Sequence, residues 1–175
     1  MPSGGTANRA LYSREERARR DASRWTLVQG VLAPLQFLAF LVSLVLVLKF
    51  LASGAGAQAA TLSVLVKTGF LYAIMLTGCL WERDVFGRYL FAPAFFWEDV
   101  VSIGVLALHT AYLATLLWGG IAVRAQMIIA LAAYAAYVIN ATQFLLKLRR
   151  ARLQSYADPT PGPSPRCAAA TAAAG

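Results

Sequence analysis

The stretch LVQGVLAPLQFLAFLVSLVLVLKFL, residues 27–51, decides the fold. It carries a single charge, Lys49, close to its end. Crossing the ~30 Å hydrocarbon core of a bilayer takes about 20 apolar residues at 1.5 Å each, so this run is long enough to span with some tilt. The small residues at 53–60 superficially resemble a signal-peptide cleavage site. The apolar region of a signal peptide is only about 7–15 residues long, however, and the run reads as a retained span. Pro34, well inside it, marks an expected kink.

Three further runs of the same kind follow. They cover residues 61–81, interrupted by Lys67; residues 100–118, with His109 at mid-depth; and residues 125–146, with Asn140 and Gln143 near the end. Composition agrees: of 175 residues, 59% are hydrophobic and 14% charged, against about 25% charged in a soluble domain. Mean hydropathy is +0.59. These values exclude a water-soluble globule and a disordered chain. Two cysteines, Cys79 and Cys167, are too few for a disulfide scaffold or a four-ligand zinc site. The predicted fold is all-α: a polytopic membrane protein with four transmembrane helices in residues 25–153. A cytoplasmic segment, residues 1–24, precedes them and carries a short interfacial helix begun by the capping box Ser13-x-x-Glu16. A Pro/Ala-rich tail, residues 154–175, is expected to be disordered.

The net charge is +8, from 16 Lys and Arg against 8 Asp and Glu. Nucleic acid is not the partner this implies, because the basic residues flank the apolar runs. Arg9, Arg14, Arg17, Arg19, Arg20 and Arg24 precede the first run, and Lys147, Arg149, Arg150 and Arg152 follow the last. Such flanks contact lipid headgroups and set topology. An even number of spans puts both termini and the 82–99 connection on one side, which holds most of the cations. The positive-inside rule makes that side cytoplasmic.

Four of the acidic residues, Glu82, Asp84, Glu98 and Asp99, fall in the connection at 82–99. It is charged yet rich in aromatics, so it is expected to lie at the interface or fold back. No span holds a central carboxylate, which disfavours a proton-coupled transporter. Each span does carry one polar seam at helical spacing: Gln29, Gln36 and Ser43; Lys67, Gly78 and Glu82; Glu98, Ser102, His109 and Tyr112; Asn140, Gln143 and Lys147. Ionisable groups in lipid face the bundle interior. The seams therefore predict a polar site open toward the cytoplasm. The plainer alternative is that amides glue the helices together, and that the acids cap helices and pair with Arg88.

Several long segments resemble the 3-vinyl (older name 2-vinyl) bacteriochlorophyllide hydratase family. They are RRDASRWTLVQGVLAP at 19–34, FGRYLFAPAFFWED at 86–99, ALHTAYL at 107–113 and YVINATQFLLK at 137–147. The resemblance runs from about Leu11 to Leu153. It implies a cofactor-independent hydro-lyase that adds water to the C3 vinyl group of chlorophyllide a or 3-vinyl bacteriochlorophyllide a. The product carries a 3-(1-hydroxyethyl) group, which another enzyme later oxidises, so contact with other pigment-biosynthesis enzymes is expected. A bacterial inner or intracytoplasmic membrane is implied as the location.

That chemistry needs a group to protonate the terminal vinyl carbon and a group to orient water. Glu98 is the first candidate for the acid, with Asp99 beside it. His109 is a candidate either to direct the water or to ligate the magnesium of the substrate; the protein needs no metal of its own. Arg83 or Arg88 can hold the substrate propionate. Phe95, Phe96 and Trp97 can stack on the flat ring, and Ser102, Asn140 and Gln143 complete the expected binding surface. The competing function is a chlorin carrier or photosystem assembly factor that binds the same pigment without chemistry.

Overall fold

The computed structural model describes residues 12–157. Five helices follow in order: α1 (Arg14–Ala22), α2 (Arg24–Ser53), α3 (Ala57–Phe86), α4 (Phe96–Trp118) and α5 (Val123–Ala157). No strand occurs among the described residues. The last four helices are each long and apolar enough to cross a membrane, as the four runs predict. Residues 154–157, assigned from composition to a disordered tail, continue α5; the rest of that tail lies outside the described residues. α2 continues through Pro34. Proline supplies no N–H, so the Gly30 carbonyl loses its helical partner there.

The helices outrun the apolar stretches. Glu82, Arg83 and Asp84 extend α3 until Gly87, whose φ of 76° ends it in a left-handed cap. α4 begins at Phe96, so the acids expected in a connection sit on helix ends and only residues 87–95 form the loop. α1 has the predicted capping box, with Ser13 and Glu16 bonded reciprocally. Ser23 caps α2 and donates to Asp84 at 2.9 Å, and Trp81 Nε1 donates to Thr26 at 3.0 Å. These bonds tie α1 and the start of α2 to the end of α3.

α2 and α3 form one hairpin and α4 and α5 another. The two meet tightly in the half of the bundle remote from the termini. There Val47, Val64, Val105, Met127 and Tyr134 are buried together. In a bilayer such contacts hold helices by van der Waals packing, since lipid is as apolar as leucine. That is why Val45, Leu62, Leu76 and Ile139 sit exposed on the perimeter. Ser43 bonds Ser63 at 2.8 Å and also Tyr134, tying three helices at this level. Toward the termini the hairpins part. A second cluster, Tyr12, Val85 and Phe95 with Trp81, Phe86 and Phe144 against it, closes that end.

Candidate active site

Between the two clusters lies a cavity of about 730 Å³. Ligand pockets commonly measure about 300–1,000 Å³. All four spans line it, mostly with apolar side chains, and its polar groups are few. Gln36 and Asn140 stand in its inner part, Ser102 beside Asn140, and Glu82 and Asp99 toward the terminal end. Its wall between α2 and α5 is incomplete. Gly30, Ala33, Pro34 and Phe37 on one side and Leu145 and Leu148 on the other both line the cavity and remain exposed, so it opens there on the apolar perimeter.

Glu82 and Asp99 are 6% and 4% exposed. Each also holds the loop in place. Asp99 Oδ2 accepts from the Phe91 N–H at 2.7 Å and Glu82 Oε2 from the Ala92 N–H at 3.3 Å. Phe91 has a φ of 59°, the one left-handed non-glycine residue described. Such a conformation costs about 1–3 kcal/mol and persists when its surroundings over-determine it; the carboxyl bond to its N–H is that constraint. The two carboxyls fasten neighbouring residues of one loop and line the same cavity.

The other expected site residues are distributed unevenly. Glu98 is committed to Lys147, Nζ to Oε2 at 2.6 Å, and does not line the cavity. Lys147, not Arg88, is thus the cationic partner of this acid. Phe95 is buried and lines the cavity, whereas Phe96 and Trp97 are 44% and 71% exposed and pack on each other at 5.5 Å. Ser102 accepts from Asn140 Nδ2 at 2.9 Å, and both face the cavity. Gln143 has a buried, unpartnered Oε1 but is outside the lining. Arg83 stacks over Tyr89 at 5.0 Å, and both it and Arg88 are exposed away from the cavity.

His109 is fully buried and is not brought to the carboxyl pair or the cavity. Its Nδ1 donates to the Val105 carbonyl at 2.8 Å, because a carbonyl can only accept. Its Nε2 is then an acceptor, filled by Lys67 Nζ at 2.6 Å. Lys67 in turn lies 4.3 Å from the Tyr137 ring centre. Both imidazole nitrogens are occupied in the packed half, where neither can reach a magnesium ion in the cavity.

Sequence reasoning left three cavity groups out of the candidate site. Glu82 appeared as a member of the α3 seam and of the acidic connection, and Gln36 only as a member of the α2 seam. Gln36 is 3% exposed and its Oε1 has no hydrogen-bond partner, which is rare for a buried amide. Arg20 was one of several N-terminal arginines with nothing in the sequence to single it out. It lines the cavity mouth, bonds Asp21 at 2.7 Å and lies 5.0 Å over the Tyr12 ring. Burial pushes the Tyr12 phenol up to about 12 despite the nearby Arg20 charge; it stays a neutral donor at working pH.

A family profile described as 2-vinyl bacteriochlorophyllide hydratase matches residues 12–150. The chain belongs to that family. A 2-vinyl bacteriochlorophyllide hydratase of Rhodobacter capsulatus is 66% identical over 152 residues, which are 87% of this chain and 88% of the relative. One from Cereibacter sphaeroides is 67% identical over 149 residues, 83% and 91% of the two chains. No solved structure matches. The profile spans all four membrane helices of this hydratase and every polar group that lines its cavity.

Proposed function

We propose that the protein hydrates the C3 vinyl group of a magnesium chlorin, chlorophyllide a or 3-vinyl bacteriochlorophyllide a, and gives the 3-(1-hydroxyethyl) product without a cofactor. Family membership supplies the reaction class. The observation that carries the mechanism is the Glu82–Asp99 carboxyl pair facing an otherwise apolar cavity of about 730 Å³.

One of the pair gives its proton to the terminal vinyl carbon. The π electrons form the new C–H bond, and the cation left at the inner carbon is delocalised into the macrocycle. Water attacks that inner carbon and loses a proton to the carboxylate just formed, which restores the pair. One site thus serves as acid and then as base. Their place in the cavity lining favours Asp99 and Glu82 over Glu98, whose charge is neutralised by Lys147. Phe95 offers a ring face to the macrocycle. Arg20 at the mouth is placed to take the propionate by a bidentate contact, in preference to Arg83 or Arg88. A carrier needs no acids beside its pigment, so the pair favours chemistry over carriage.

The cavity lies in the half nearest the termini. The arginine-rich ends support a location of that half in the cytoplasmic leaflet, in a bacterial inner or intracytoplasmic membrane. The test is purified protein in lipid nanodiscs with chlorophyllide a and ¹⁸O-labelled water. Hydratase activity gives a hydroxyethyl chlorin carrying the label; unlabelled or unchanged pigment would sink the reading.

A further inference from the structure

We infer that the site also accepts chlorins whose propionate is already esterified with a long isoprenoid alcohol, the tail leaving through the gap between α2 and α5. The inference rests on the hydratase reading, since it takes a vinyl chlorin as the occupant of the cavity. Hydration is the same reaction with either pigment, because the ester stands apart from the C3 vinyl group and takes no part in it.

The gap is a slot through a wall of the cavity. On α2, Gly30, Ala33 and Phe37 line the cavity and are exposed on the perimeter; on α5, Leu145 and Leu148 do the same. From Gly30 to Phe37 the slot follows about 10 Å of helix axis. No atom lies within 4 Å of where a Cβ would stand at Gly30, so its end nearest the termini is open. Every one of these rim residues is apolar. Beside them Val31, Leu38 and Leu146 are exposed on the lipid-facing perimeter. A cavity of about 730 Å³ suits one compact ring system, so a long chain attached to that ring has to lie outside it.

Position ties the slot to the propionate. Arg20, assigned above to that group, lies at the cavity mouth. Its carbonyl accepts from Thr26 Oγ1 at 2.6 Å. Thr26 also lines the cavity and precedes Gly30 by about one helical turn on the same face of α2. The slot therefore begins one turn deeper than the residue that holds Arg20. Esterification removes the propionate charge, and with it the Arg20 ion pair, and the alcohol chain runs down α2 between Gly30 and Leu148 among the acyl chains of the bilayer. Contact with the rim adds little affinity, since lipid is as apolar as leucine; the slot has only to let the chain leave without strain. The vinyl group sits on the pyrrole ring next to the one that bears the propionate, so it stays at the terminal end with Glu82 and Asp99.

The test offers three pigments to protein in phospholipid nanodiscs: chlorophyllide a, its methyl ester, and chlorophyll a, which keeps the vinyl group and carries a phytyl tail. Hydroxyethyl products are separated by chromatography. Wild-type protein should hydrate chlorophyll a at a rate comparable to that of the methyl ester. Ala33→Phe narrows the slot and should raise KM for chlorophyll a at least about tenfold more than KM for the methyl ester, equivalent to about 1.4 kcal/mol. Turnover of the methyl ester with none of chlorophyll a would overturn the inference without any variant and show that lipid alone covers the slot. Equal effects of Ala33→Phe on the two esters would overturn the path assigned to the tail. Wild-type protein that leaves chlorophyllide a itself unchanged sinks the hydratase reading, and that outcome is seen separately in the same samples.

Discussion

Replacing Asp99 by asparagine separates its chemical role from its structural one. Asn keeps a side-chain oxygen in place of the one that accepts from the Phe91 N–H at 2.7 Å, so the loop and the left-handed Phe91 keep their fastening. What disappears is the exchangeable acid. A positioned general acid contributes about 10²–10⁴-fold, and Asp99→Asn should lose turnover within that range while the pigment still binds. Asp99→Ala would also orphan the Phe91 N–H, at about 1–3 kcal/mol, and should lower resistance to denaturation as well. Glu82→Gln should resemble Asp99→Asn. Because the two acids act on one proton, the double variant should be no worse than the poorer single one, as for residues that act as a unit. Initial rates of hydroxyethyl chlorin formation, separated by chromatography, provide the readout. The reasoning fails if Asp99→Asn and Glu82→Gln each keep wild-type rates, or if their losses multiply in the double variant.

Three further perturbations test the surroundings. Glu98→Gln removes the acidic half of a mostly buried ion pair and should cost about 1–3 kcal/mol of stability, measured by unfolding in mixed micelles, while turnover of the folded protein stays within a few-fold; a loss as large as that of Asp99→Asn would restore Glu98 as the acid. Arg20→Gln should raise KM for chlorophyllide with little change in kcat, and should leave the propionate methyl ester unaffected; an equal effect on acid and ester removes the proposed salt link. Gly30 has open space where a Cβ would stand and lines the cavity, so Gly30→Leu should gain roughly 0.5–1 kcal/mol of helix stability yet bind pigment more weakly. Unchanged pigment affinity would show that this part of the cavity is not occupied.

The membrane helices were legible because spanning a bilayer demands long apolar runs and little else. Their ends were not, since Glu82 and Arg83 are good helix formers that hydropathy counts as loop. Only Gly87 sets the true stop. The polar seams pointed to an interior site, but spacing on one helix cannot say which seam members meet across helices. Glu98 and Asp99 are neighbours in sequence and face different partners, Lys147 and the Phe91 N–H. His109 has the right residue type and depth for a ligand, and the position of Lys67 on another helix decides that its nitrogens are taken. Arg20 reaches the cavity mouth through the packing of α1 against α3, a contact that no local pattern encodes.

The gap between Gly30–Phe37 and Leu145–Leu148 changes how the kinetics should be expressed. A doorway on the greasy rim meets pigment dissolved in the leaflet, so the relevant concentration is a mole fraction among lipids. Diluting a fixed amount of pigment with more phospholipid or detergent should slow the reaction, even though its molarity in the tube is constant. Michaelis constants reported per litre would then differ between preparations, while those reported per mole of amphiphile would agree.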